Sequence, residues 1–499
     1  MIPCDFCPAS EEYADFILRY SSRSPEALYE LAKTRCINLI SREFAVSHAR
    51  LDQLSPISIA RYTYSTIPKL YSLLDTAALE SSEILPVLRQ PALNASGRGV
   101  LIGFIDTGID YTCPLFRRPD GSSRIISIWD QTIRGETAPE AVTGFQPFYG
   151  AVYSQEQLNQ ALRSQDPFSL VPARDTDGHG TFMAGIAAGN QTEDPVSFSG
   201  AAPDAVIAAV RLKPAKQYLR EFFLIPPDAQ VFQENDIMAA VSYLLGLANQ
   251  HQLPLVIYLG VGTSQGGHDG ASPLALQLQS LIGTRGLSVV TGAGNESGYH
   301  HHFFGEIPPD ASYQDVELRV GQGEAGFCVE LWATEPELYT VGFVSPAGEV
   351  IDRVPLILGN EALIPFKLDS ARLSLVYESQ ESGSGSQLIF MRFETPSPGI
   401  WHIRVYPSVS VSGRFHMWLP MHGLVSEGTA FLRPDPDTTV TDPGNAPMPV
   451  TVSAYDHRNG SIYIHSSRGY TRTGFIKPDL AAPGVQVQGP LPARDAVSG

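Results

Sequence analysis

The chain has 499 residues, 43 % of them apolar and 17 % charged, too apolar for a disordered chain and long enough for several domains with cores of their own. A net charge of −18 excludes binding through nucleic-acid phosphates, which calls for a basic surface. No stretch approaches the ~18–20 apolar residues of a membrane helix, and the opening MIPCDFCPASEEYADF lacks the basic start and apolar run of a secretory signal. The expectation is therefore a protein without nucleic-acid or membrane partners that is not secreted. Five cysteines, Cys4, Cys7, Cys36, Cys113 and Cys328, are sparse and odd in number, which predicts free thiols and no disulfide framework.

Residues 1–96 carry helix-like patterns at 11–20 and 25–40 and close on the turn-rich Asn94-Ala95-Ser96-Gly97-Arg98-Gly99. From 97 to 302 the pattern becomes strand, loop, helix, strand. Residues 100–105, 206–212, 255–259 and 288–291 are short apolar runs, as expected of strands buried on both faces of a parallel sheet. Residues 236–250 and 273–284 carry helical patterns. Alternating strands and helices predict an α/β fold with a doubly wound, mostly parallel sheet. Residues 303–446 change character, with short alternating segments at 315–320, 326–331, 338–344, 387–393 and 401–406. That zone predicts an inserted all-β sandwich of the jelly-roll type. Residues 447–499 return to the α/β style with a strand at 450–454, but lack the helix that should follow it.

Four motifs carry chemistry. Asp106, in Gly103-Phe104-Ile105-Asp106-Thr107-Gly108, ends a buried strand at the carboxyl edge of the sheet, where open α/β folds place their sites. His179, in Asp175-Thr176-Asp177-Gly178-His179-Gly180-Thr181, is flanked by glycines at a strand-to-helix turn, and its ordinary pKa of ~6.5 suits proton transfer near neutrality. Asn295, in Gly292-Ala293-Gly294-Asn295, follows another strand with an amide able to donate to charge developing on an oxygen. Lys477-Pro478-Asp479-Leu480-Ala481-Ala482-Pro483-Gly484-Val485 is, by physics alone, a Pro/Gly-rich loop.

In this order and spacing the four motifs resemble those of the subtilisin family of serine proteases. The resemblance implies that Asp106 orients and supports His179, that His179 is general base and then general acid, and that Asn295 completes the oxyanion hole. It implies an Asp, His, Ser order along the chain, no cofactor and no metal, and a peptide or protein substrate. Residues 1–96 are then a prodomain, 97–302 and 447–499 the two parts of the catalytic core, and 303–446 an insertion. The prodomain would place its tail in the cleft, with cleavage expected within 82–96. Gly260, Val261 and Gly262 take the place of the strand that pairs with substrate backbone. The prodomain, the missing signal and the inserted β region resemble the clostridial Csp-type germination proteases, which act in spores on a cortex-lytic hydrolase precursor; the expected location is thus cytoplasmic or spore-associated. Phe182 stands where many members of the wider family have a second histidine.

The family's nucleophile lies in a G-T-S-x-A segment after the APGV loop, and only fourteen residues follow Val485. Ser264 precedes Asn295 and has the wrong order, and Ser498 has no helix after it to present its side chain. The expectation is a catalytic serine beyond residue 499 and an inactive 499-residue chain, with a non-catalytic binding or signalling protein as the alternative. A carboxylate-pair glycosidase is disfavoured, because Asp106 is accompanied by His and Asn motifs and no second placed carboxylate. Cys4 and Cys7 lack a second pair for zinc, and no compact D-x-D-x-D-G calcium loop is present. His300-His301-His302 reads as a surface loop, and Cys113 as a small buried residue near the site.

Overall fold

The computed structural model describes residues 8–20, 36–74, 95–133, 141–190 and 199–485. Its centre is a nine-stranded sheet, in the order Ser461–Ile462, Val450–Asp456, Leu287–Gly292, Leu255–Leu259, Leu101–Asp106, Val206–Arg211, Ile125–Asp130 and Ala151–Ser154, with Leu480–Pro483 also beside Val450–Asp456. The inner pairings are parallel, and the outermost pairs, Ser461–Ile462 and Ala151–Ser154 with their neighbours, are antiparallel.

All six residues of Leu101–Asp106 are buried, as an apolar run covered on both faces requires. Leu101 and Ile105 point into one core with the helix Glu234–His251, whereas Ile102 and Phe104 point into another with Ala184 and Ala188 of the helix His179–Ala188. At Gly103 a Cβ would lie 2.6 Å from Leu244 Cδ1, so the bare backbone lets the long helix seat against the sheet.

Beyond this core, two antiparallel sheets of six and five strands face each other. Phe327, Val329, Leu331, Met391 and Phe393 from one meet Leu318, Trp401, Ile403 and Val405 from the other in a shared apolar core. Each of the five alternating segments expected here lies within a strand, from Gln314–Val320 to Gly399–Val409.

The N-terminal region departs from expectation. Tyr13–Arg19 is a strand, not a helix, in the three-stranded antiparallel sheet that it forms with Phe44–Arg50 and Cys36–Leu39. The cause is burial on both sides. Ala14 and Phe16 pack into a cluster with Tyr218 and Phe390, and Ile17 packs into the main core. The alternation that marks a strand is therefore erased. Asp15, between them, accepts from Lys216 Nζ at 2.7 Å and Gln233 Nε2 at 2.7 Å, and lies 2.6 Å from His48 Nδ1. Burial alone would raise its pKa, but Lys216 and His48 outweigh that and hold it well below the usual carboxylate range. The second helical pattern fails at its described end, because Cys36–Leu39 is also a strand; residues 25–35 lie outside the described residues.

Cys113 and Cys328 are free thiols. Cys36 is disulfide-bonded, contrary to the expectation of free thiols throughout, and Cys4 and Cys7 lie outside the described residues. Among the described residues no helix is long and apolar enough to cross a membrane.

Candidate active site

Asp106 ends its strand fully buried and accepts the Thr107 backbone N–H at 2.6 Å. His179 opens the helix His179–Ala188, and its Nδ1 lies 2.8 and 2.9 Å from the two Asp106 carboxylate oxygens. The turn carrying the histidine is built by Asp175. This carboxylate accepts from Thr107 Oγ1, from the backbone N–H groups of Gly178 and Thr181, and from Thr181 Oγ1, all within 2.9 Å. Thr107 Oγ1 in turn accepts from Gly180 N at 3.0 Å. Asp175 thus satisfies the N–H groups that a helix start leaves open and ties the His179 turn to the Asp106 strand.

Two glycines permit this approach. A Cβ on Gly180 would meet the Gly108 carbonyl at 2.2 Å, and one on Gly260 would meet Asp106 Oδ2 at 2.0 Å. Either would displace the carboxylate or the histidine.

The other ring nitrogen of His179 is also engaged. Nε2 lies 2.8 Å from the backbone carbonyl of Leu74, within hydrogen-bonding distance of an oxygen that can only accept. Leu74 ends a segment that lies along the expected binding strand. Leu70–Leu73 pairs antiparallel with Val261–Gly262, Leu73 opposite Val261 and Ser72 opposite Gly262, and Leu74 N donates to Gly260 O at 2.9 Å. Its other edge pairs with Phe232–Gln233. The Leu74 side chain packs where Cβ atoms on Gly262 and Gly292 would lie 3.1 and 3.3 Å away. The residue at His179 therefore falls upstream of the 82–96 stretch expected for cleavage; residues 75–94 lie outside the described residues.

Asn295 follows the strand Leu287–Gly292 on a loop held through its backbone. Ala293 N donates to Val452 O at 2.8 Å, Thr441 N to Ala293 O at 2.9 Å and Ser467 N to Gly294 O at 2.9 Å, and Glu296 N donates to Ser467 Oγ. Asn295 itself is half-buried, and its amide makes no hydrogen bond among the described residues. The structure thus gathers Asp106, His179 and Gly260–Gly262 around Leu74. It sets Gly292, the end of the strand that leads into the Asn295 loop, against the same side chain. Ser264 is buried, and its carbonyl lies 3.1 Å from His268 Nε2. Ser498 lies outside the described residues.

The histidine run is only partly a surface loop, because the strand His302–Glu306 begins inside it. His301 and His302 are buried. His302 Nε2 lies 2.9 Å from His416 Nδ1, and burial pushes the His302 pKa down to about 3. His301 Nδ1 lies 3.3 Å from Glu296, beside Asn295. Among the described residues no group of three His, Cys, Asp or Glu side chains is arranged to hold a metal ion. Sequence reasoning missed Asp175 and Leu74. An acid a few residues before a helix start was a usable sign for Asp175, whereas nothing local marked Leu74.

The profile of the Subtilase family matches residues 97–325 and 431–497, and the gap between them falls in the two facing sheets. The chain is similar to the structure of the Clostridium perfringens CspB protease at 28 % identity and a TM-score of 0.69, covering 82 % of this chain and 79 % of that one. The curated Subtilisin-like protease SBT2.2 of Arabidopsis thaliana is 34 % identical over 136 residues. Those residues are 25 % of this chain and span only 16 % of the plant protein's length.

Proposed function

The chain belongs to the subtilase family, and from that premise we propose that it is a serine endopeptidase zymogen acting through Asp106, His179 and a serine supplied from sequence downstream of Lys477–Val485. The observation that carries this reading is the seating of Leu70–Leu74: an extended segment paired with Gly260–Gly262, its last carbonyl against His179. A substrate paired with the same strand brings a carbonyl group beside His179; in this structure the Leu74 oxygen stands where a serine hydroxyl would meet Nε2.

In this reading His179 Nε2 takes the proton of the serine hydroxyl as its oxygen bonds to the carbonyl carbon. The same nitrogen then gives that proton to the departing amine, and water repeats the sequence to release the acyl group. Asp106 holds the ring in the required tautomer and stabilises its charged form. Asn295 donates to the oxyanion, and its unengaged amide suits that role. In this reading the propeptide ends at Leu74, short of the 1–96 expected from the sequence, its Leu70–Leu74 segment filling the cleft, and 303–446 are an inserted jelly-roll domain. By resemblance to the Csp-type proteases, the substrate is a protein precursor such as a spore cortex-lytic hydrolase.

The test is fluorophosphonate labelling of the chain expressed with its downstream coding sequence. Labelling at a serine, lost in His179→Ala, is the expected result. A downstream sequence without a serine that labels would make the same cleft a binding surface of a non-catalytic protein.

A further inference from the structure

The resident segment fills more of the cleft than the position next to His179. Counting upstream with Leu74 as the first residue, Tyr71 is the fourth. Its ring is fully buried in the cluster containing Phe232, Val261 and Leu274. Its hydroxyl donates to Asp442 Oδ1 at 2.6 Å, and Ser272 Oγ donates to the same oxygen at 2.8 Å. Asp442 is fixed in turn by its backbone, since its N–H donates to Thr263 O at 2.9 Å and Thr263 N donates to its carbonyl at 3.0 Å. The pocket therefore has apolar walls and a buried carboxylate at its end, placed to accept a hydroxyl.

We propose that Asp442 makes this cleft selective for peptide segments with tyrosine three residues before the residue whose carbonyl faces His179. The inference rests on reading Leu70–Leu74 as a substrate-like occupant. The chemistry is that of an acceptor which must be satisfied. A phenylalanine fills the same apolar walls but leaves Asp442 with one donor fewer inside the protein, and an unmatched buried polar group costs far more than a missing contact. Aliphatic residues leave the ring's volume empty as well. The neighbour Thr441 holds the Asn295 loop through Ala293, so the residue that supplies the pocket's carboxylate directly follows one that braces the proposed oxyanion donor.

The experiment uses the full chain with Tyr71→Ala, which loosens the resident segment without touching the pocket; Leu74→Gly serves the same purpose if that variant fails to fold. Fluorescein-labelled Lys-Leu-Tyr-Ser-Leu-Leu and its Tyr-to-Phe analogue, both ending in a free carboxylate, are titrated by fluorescence polarisation. The tyrosine peptide is expected to bind about 10- to 100-fold tighter, the range for a hydrogen bond to a charged group. Adding Asp442→Ala is expected to bring the two affinities together. Equal affinities for the two peptides, or no binding of either to both loosened variants, would overturn the proposal. Neither peptide has a bond beyond its last leucine to be cut. A tyrosine preference in a chain that hydrolyses nothing even when expressed with its downstream coding sequence would sink the peptidase reading alone, and hydrolysis by that longer chain without the preference would sink this one alone.

Discussion

On one side of Leu74, Asp106 and His179 are fastened to each other through their side chains, with Thr107 and Asp175 bracing both from behind. On the other side, the Asn295 loop is fastened through its backbone, and the amide at its tip is left without a partner among the described residues. In the proposed reading the difference matches what each group would do. An acid–base pair has to keep one geometry before and after proton transfer, so its side chains must be locked to each other. An oxyanion donor has to be placed yet unspent, because a hydrogen bond already made in the ground state contributes nothing extra in the transition state.

In a chain carrying the downstream serine, the largest effect should come from breaking the locked side. Asp106→Asn keeps the shape but presents the wrong partner to Nδ1, and kcat is expected to fall ~10⁴-fold, as in other triads. A loss under tenfold would show that the pair is not a catalytic unit. Asn295→Ala should lower kcat by ~10²–10³ with KM little changed, the magnitude measured for such a donor in a subtilisin. A change confined to KM would place Asn295 in substrate binding instead.

A third prediction concerns pH. Burial, first among its causes, pushes the Asp442 carboxyl up to about 7, above the ~4 of an unfolded aspartate. The folded chain then holds the proton more tightly. This group's contribution to stability is complete below about pH 4 and is lost as pH rises towards 7. Asp442→Asn should flatten that part of the Tm-against-pH curve, and an unaltered slope would contradict the assignment. The smallest effect is expected at the brace. Asp175→Ala leaves the Gly178 and Thr181 N–H groups at the helix start without their acceptor, a loss of ~1–2 kcal/mol that lowers Tm by ~1–2 °C in a chain of this length. A loss of activity matching Asp106→Asn would instead make Asp175 part of the chemistry.

Much of the central sheet was legible because its strands are unbroken apolar runs, and the glycines beside Asp106, His179 and Asn295 marked the turns where backbone passes close to backbone. Leu255–Leu259 and Leu338–Val344 match their expected bounds. The strand Tyr13–Arg19 was illegible because the residues on both of its faces are buried, and the charge at Asp15 is neutralised by partners about 200 residues away. The buried His301 and His302 misled for a related reason: a polar run reads as surface unless its partners, Glu296 and His416, are known to face it. The contact of Leu74 with His179 joins residues 105 apart in the chain, and no local pattern encodes such a pairing. The 82–96 expectation for cleavage came from where the turn-rich boundary lies, whereas the structure sets a residue well before that boundary at the histidine.

The most direct measurement is the N-terminal sequence and intact mass of the chain expressed with its downstream coding sequence. If Leu70–Leu74 occupies the cleft as substrate does, the purified protein begins at Asp75, accompanied by a separate fragment ending at Leu74, and His179→Ala remains uncut. An active enzyme whose new terminus falls within 82–96, or which is never cut, would contradict the account.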